Sequence, residues 1–186
     1  MERINEIHEM EEEEPLSKEL LNKMPEDKSF RIHGLSYKYP GYDNDYVLNR
    51  LKLDILEGEI TAIVGMSGSG KTTLLKLLMK FYGSAEGEIN LGSTKLKSLS
   101  HRMLRSKIGV VSQEGYIFSD TIANNIAVWE EHPDLLGIIE AAKVANIHEF
   151  ITELPLGYNT RIGSDGTGIS QGQKQRLLIA RAVYKN

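Results

Sequence analysis

Residues 65–73 read Gly-Met-Ser-Gly-Ser-Gly-Lys-Thr-Thr, a spacing of glycine, lysine and hydroxyl residues suited to holding a polyphosphate. Gly65 and Gly70 let successive backbone N–H groups turn inward around an anion without Cβ clashes, at the positive end of a following helix. Lys71 adds a point charge for the β- and γ-phosphates, and Thr72 offers a hydroxyl to Mg²⁺. With Met66, Ser67, Gly68, Ser69 and Thr73 completing the loop, the motif predicts nucleotide binding. Its context agrees: the apolar run Ile60, Thr61, Ala62, Ile63, Val64 reads as a strand before the loop, and Leu74, Leu75, Lys76, Leu77, Leu78 as a helix after it.

The surrounding elements follow from pattern. Phe30, Ile32, Leu35, Tyr37 and Tyr39 form a strand-rich stretch that breaks at Pro40, Gly41 and the residues Asp43, Asn44, Asp45. Val47, Leu48, Leu51, Leu53 and Ile55 continue it, and residues 87–92 predict another β segment. Residues 108–112 are a short apolar run of buried-strand type ending at Gln113. Beyond it the pattern turns helical. Pro133 and Asp134 open one helix with Leu135, Leu136, Ile138, Ile139, Ala142 and Val144 as its apolar face. A shorter helix near residues 147–154 stops before Pro155, and residues 172–184 form a last one.

Composition bounds the class. The chain of 186 residues is long enough for one domain with a substantial core and a smaller subdomain, and 40% hydrophobic with 26% charged residues is a globular balance. The absence of cysteine excludes disulfides and thiolate metal sites. A net charge of −4 gives no general attraction to nucleic acid, and Lys95, Lys97, His101, Arg102, Arg105 and Lys107 read as solvated surface. No apolar stretch reaches the roughly 20 residues that span a bilayer, and no export signal is read after Met1. Residues 1–27, with the run Glu11, Glu12, Glu13, Glu14, read either as a solvated tail or as a linker to another domain.

A second motif, Ile169-Ser170-Gln171-Gly172-Gln173-Lys174-Gln175-Arg176, follows the phosphate loop by about a hundred residues. Ser170, Gly172 and the helix beginning there make a second anion site from a hydroxyl and backbone N–H groups. The two motifs in this order resemble the ATP-binding cassette family, whose signature reads Leu-Ser-Gly-Gly-Gln. The resemblance covers nearly everything from Phe30 to Asn186. It implies an α/β fold: a P-loop NTPase (RecA-like) core over residues 28–117 with an antiparallel β subdomain, a helical subdomain over residues 118–168, and the signature helix over residues 169–186. It also implies incompleteness at the C-terminus, before the strand that carries the Mg²⁺-binding aspartate and the glutamate that acts on water.

The resemblance assigns roles residue by residue. Tyr39 matches the aromatic residue that stacks on adenine, and Gln113 the glutamine that reaches Mg²⁺ and the attacking water, so the implied metal contacts are Thr72 and Gln113. Gly65 through Thr73, Tyr39, Gln113, Ser170, Gly172 and Gln173 would contact ATP. Two such domains pack head to tail, each ATP lying between one phosphate loop and the partner's Ser170 and Gly172. Gln171 stands where the family has glycine, which implies an ordinary φ there. Arg161 and Ser164 stand where exporters often carry glutamates. The implied function is ATP binding, with hydrolysis in a complete protein, coupled to export across a membrane from its cytoplasmic face. Residues 1–27 resemble the tail leaving a transmembrane domain, and the cargo expectation is a peptide or bacteriocin. Alternatives are an importer ATPase subunit, a soluble cassette protein, or an ATP-binding module without turnover. A P-loop kinase would leave residues 170–176 unexplained.

Overall fold

The computed structural model describes residues 20–41, 45–83, 86–112, 115–128, 130–163, 166 and 168–185. The chain divides into two compact units, one up to Arg105 and one from Ser106 onward.

In the first unit, four strands form an antiparallel sheet in the order β2-β1-β3-β4: β1 (Phe30–Tyr37), β2 (Leu48–Ile55), β3 (Glu86–Leu91) and β4 (Thr94–Lys95). Gly34 sits at φ 61 beside the register shift that separates Ile32 from Leu35 in β1. A Cβ on the facing Gly87 would strike the Gly34 carbonyl oxygen at 2.4 Å, so glycine at 87 lets β1 and β3 approach. The helix α1 (Lys71–Leu78) buries Thr73, Leu74, Leu77 and Leu78. Its leucines join Ile32, Leu35, Tyr37 and Leu48 of the sheet in one core, and each such buried side chain contributes about 1.5–3 kcal/mol. That packing seats the phosphate loop, because the loop runs directly into α1.

Of residues 1–27, only those from position 20 onward are described, and they are tied down. Leu21 forms a parallel bridge with Leu99, its N–H donating to the Ser98 carbonyl at 2.8 Å. Asp27 accepts from the Ser29 N–H and from Arg31. The short helix α2 (His101–Ser106) buries Leu104.

The second unit is mainly helical: α3 (Ile122–Ile126), α4 (Leu135–Val144), α5 (His148–Glu153) and α6 (Gln171–Tyr184), with a two-stranded antiparallel pair, β5 (Asp120–Thr121) and β6 (Arg161–Ile162). Its core gathers Ile122, Ile126, Ile138, Ile147, Ile151, Ile162, Leu177 and Ala180. Asp134 is the cap of α4 rather than part of its first turn, its carboxylate accepting from the Leu136 and Gly137 N–H groups. Leu154, before Pro155, is extended at φ −74, ψ 142, which ends α5.

Two expected strands do not form. Residues 60–64 and 108–112 lie outside every strand. Ile60 and Val64 are 102% and 88% exposed, and Val110 and Val111 stand 47% and 41% exposed. An apolar run becomes a strand only when a neighbour takes its N–H and C=O groups, and among the described residues neither run has one. Among the described residues no helix is long and apolar enough to cross a membrane.

Candidate phosphate loop and signature helix

The loop at 65–72 owes its shape to three glycines. Gly68 and Gly70 adopt φ 80 and φ 86, the left-handed region in which a side chain is strained. A Cβ on Gly70 would also meet Leu48 Cδ2 at 2.8 Å and the Val47 carbonyl at 2.9 Å, and one on Gly65 would meet Ser69 Oγ at 2.6 Å. The Ser69 N–H donates to the Met66 carbonyl at 3.3 Å, closing the turn, and Leu74 N–H to the Gly70 carbonyl at 2.8 Å begins α1.

The start of α1 is left open to an anion. Gly70 at its cap offers no side-chain hydrogen bond, and no acidic residue lies in its first turn, so the free N–H groups and the helix dipole face the loop uncompensated. Lys71 Nζ donates to the carbonyls of Gly65 at 2.8 Å and Met66 at 2.7 Å, and to Ser69 Oγ at 3.3 Å. Its ammonium is thereby held over the concave side of the loop. Thr72 is exposed at the same helix end. Donors, an ammonium and an exposed hydroxyl, with a loop whose interior a Cβ at 65 would crowd against Ser69, fit a Mg²⁺-bound polyphosphate.

Tyr39 lies just beyond β1, and its hydroxyl is 2.9 Å from Thr73 Oγ1. Its ring meets Tyr37 and Tyr82 edge-on, at 5.2 Å and 5.4 Å between centroids, while Tyr37 and Tyr82 stack at 5.4 Å. Burial raises the Tyr37 hydroxyl above its ordinary pKa, with the neighbouring tyrosines adding to the shift. Sequence reasoning singled out Tyr39 but not its contacts with Tyr37, Tyr82 and Thr73. Tyr82 follows the end of α1 with no motif to mark it.

In the second unit Ser170 caps α6. Its Oγ accepts from the Gln173 N–H at 3.2 Å, and Gln173 Oε1 accepts from the Ser170 N–H at 2.8 Å, a reciprocal capping box. Gln171 begins the helix and is not among the residues of positive φ, in line with the ordinary backbone its side chain implied. Gly172 has no comparable local reason to be glycine. Among the described residues a Cβ there would find only Ser170 Oγ, at 3.9 Å, although glycine within a helix costs about 1 kcal/mol against alanine.

Gln113 and Ser164 lie outside the described residues. Gly115 rests on α6, since a Cβ there would strike Leu178 Cδ1 at 2.3 Å. Tyr116 and Phe118, in edge contact at 5.1 Å, are 68% and 44% exposed. Arg161 pairs with Thr121 in the β5–β6 ladder, and its guanidinium donates to the Ser119 carbonyl at 3.3 Å.

The comparisons with known proteins agree with this geometry. The family model described as ABC transporter matches residues 48–186. The chain is 48% identical over 147 residues to the ATP-dependent lipid A-core flippase of Saccharophagus degradans, covering 78% of this chain and 25% of that protein. It is 43% identical over 159 residues to multidrug resistance protein homolog 65 of Drosophila melanogaster, covering 84% of this chain and 12% of that protein. A solved structure of a bacterial Atm1-family ABC exporter with ATP bound superposes with a TM-score of 0.83 at 33% identity, over 99% of this chain and 32% of that one. The chain thus spans a quarter or less of the length of these two curated relatives.

Proposed function

Since this chain belongs to the ABC transporter family, we propose that it is the ATP-binding domain of an exporter, which couples ATP binding and hydrolysis to transport by an attached transmembrane domain at the cytoplasmic face of a membrane. The observation that carries the reading is the phosphate loop: glycines in left-handed backbone, an uncapped helix start and the Lys71 ammonium facing one concavity. ATP, when bound, supplies the triphosphate that these groups neutralise. The N–H groups of residues 65–73 and Lys71 hold it, Thr72 and Gln113 serve Mg²⁺, and Tyr39 takes the base.

The second half of the site comes from another copy. Gly172 lacks a reason within its own fold, and the closest reason for a bare helix face beside Ser170 is the approach of a partner's nucleotide. A head-to-tail pair follows, with Ser170, Gly172 and Gln173 covering the phosphates held by the partner's loop. The domain limits carried with this reading are 28–117, 118–168 and 169–186, preceded by a linker over residues 1–27. The exposed Tyr116 and Phe118, next to Gln113, support a docking face for the transmembrane partner.

Similarity to a lipid A-core flippase and a multidrug resistance homologue favours a lipid-like or drug-like cargo over the peptide or bacteriocin read from sequence. For residues 1–186 alone we propose Mg·ATP binding without turnover. Calorimetric titration with Mg·ATP, beside phosphate release, tests both. Binding that Lys71→Ala abolishes is the expected result, and no heat from folded wild-type protein overturns the reading.

A further inference from the structure

The contact between Tyr39 and Thr73 joins residues 34 positions apart in sequence. Thr73 is the third residue of α1 and is buried at 6% exposure, so its hydroxyl is fixed with the helix that carries Lys71 and Thr72. Tyr39 is held differently. It stands outside β1, ahead of Pro40 and Gly41, and the latter has φ 82. Edge contacts with Tyr37 and Tyr82 confine its ring, but aromatic contacts tolerate a range of tilts. A hydrogen bond at 2.9 Å does not, because it weakens steeply with misalignment. The Thr73 hydroxyl therefore sets the pose of the Tyr39 ring relative to the phosphate loop.

We propose that Thr73 is a positioning residue for base recognition: acting through the Tyr39 hydroxyl, it locks the aromatic platform to the phosphate-loop helix, so that base and phosphates are read by one rigid unit. This rests on the reading of residues 65–73 as an ATP site and adds the source of its base preference. Part of the selectivity for a nucleotide over a bare polyphosphate then resides in a hydroxyl whose partner is a tyrosine rather than the base. An aromatic ring alone is insufficient in this chain, and phenylalanine does not substitute fully for Tyr39.

The test compares affinities for Mg·ATP and for Mg·tripolyphosphate in the 186-residue chain, its Tyr39→Phe, Thr73→Val and Thr73→Ser variants, and the Tyr39→Phe/Thr73→Val double variant. Loss of one neutral hydrogen bond predicts that Tyr39→Phe and Thr73→Val each weaken Mg·ATP by about three- to tenfold. Tripolyphosphate binding stays at the wild-type level in Tyr39→Phe, removing the Tyr39 hydroxyl costs nothing further in the Thr73→Val background, and Thr73→Ser restores wild-type affinity. A parallel loss of tripolyphosphate binding in Tyr39→Phe, additive losses in the double variant, or a Tyr39→Phe affinity for Mg·ATP equal to wild type overturns the proposal. Should Thr73→Val fail to fold, Tyr39→Phe decides alone, since it removes one oxygen and keeps the ring. Wild-type protein that binds no Mg·ATP sinks the ATP-site reading itself, whereas wild-type binding with unchanged variants sinks only the positioning role.

Discussion

The guanidinium of Arg181 closes on Asn125: its Nε donates to the Asn125 main-chain carbonyl at 2.8 Å and its Nη2 to Asn125 Oδ1 at 3.3 Å. A third donor, Nη1, reaches the Tyr116 carbonyl at 3.0 Å. Asn125, 1% exposed, in turn accepts from the Phe118 N–H and donates to the carbonyls of Phe118 and Thr121. One polar knot therefore fastens α6 to residues 116–121.

Asn125→Ala takes the acceptor from the Phe118 N–H and one donor from each of the Phe118 and Thr121 carbonyls, and leaves Arg181 without its side-chain oxygen. Each such group costs about 1–3 kcal/mol, so Asn125→Ala is expected to destabilise the chain by about 2–4 kcal/mol. Arg181→Lys keeps the charge but loses the planar fork, and about 1–3 kcal/mol with it. Urea unfolding of both variants checks the order, with Asn125→Ala the more damaging.

Two glycines should respond in opposite ways. Gly70→Ala places a Cβ at φ 86 and 2.8 Å from Leu48 Cδ2, which costs at least about 1–2 kcal/mol and removes nucleotide binding. Gly172→Ala brings a Cβ to no more than ordinary contact with Ser170 Oγ, at 3.9 Å, and stabilises the isolated chain by about 0.5–1 kcal/mol, yet it blocks ATP-dependent dimerisation. Thermal melts beside sedimentation with Mg·ATP separate the two effects. In the same assay Gln171→Gly leaves dimerisation unchanged or stronger, because position 171 already has helical backbone.

Acid should weaken the first unit through Asp27. Hydrogen bonds from Ser29, then from Arg31, hold its carboxyl at about 2 against an ordinary 3.8. The folded chain thus binds this proton less readily than the unfolded one. Its contribution to stability is complete above the ordinary value and is lost as pH falls toward and through about 2. The stability difference between wild type and Asp27→Asn, followed by urea midpoints, should shrink across that window; a difference independent of pH would contradict the assignment.

The uncovered apolar runs carry a solution behaviour of their own. Ile60 and Val64 are exposed on backbone with no strand partner among the described residues, a template for pairing with another chain. We expect self-association of residues 1–186 that rises with concentration and falls in Ile60→Lys, measured by light scattering.

Local signals were legible in the sequence. Asp134 announced α4, Pro155 the end of α5, and the glycine spacing the loop, because each acts within a few residues of itself. Pairing was not. Residues 60–64 and 108–112 have strand-like composition, but a ladder depends on a neighbour that no run of five residues encodes. The same limit hid the Tyr39–Thr73 contact and the Arg181–Asn125 knot, the latter linking residues 56 positions apart. Gly172 was legible as a motif, yet only the absence of any close contact to a Cβ there, among the described residues, showed that its own helix does not require it.

The cap of α6 has a final consequence. A hydroxyl owns two lone pairs and one hydrogen, and Ser170 commits a lone pair to the Gln173 N–H, so that the cap itself does not use the hydrogen. If a second copy's nucleotide docks here, as proposed, it can therefore come and go without fraying the helix, the secondary structure staying intact through each cycle.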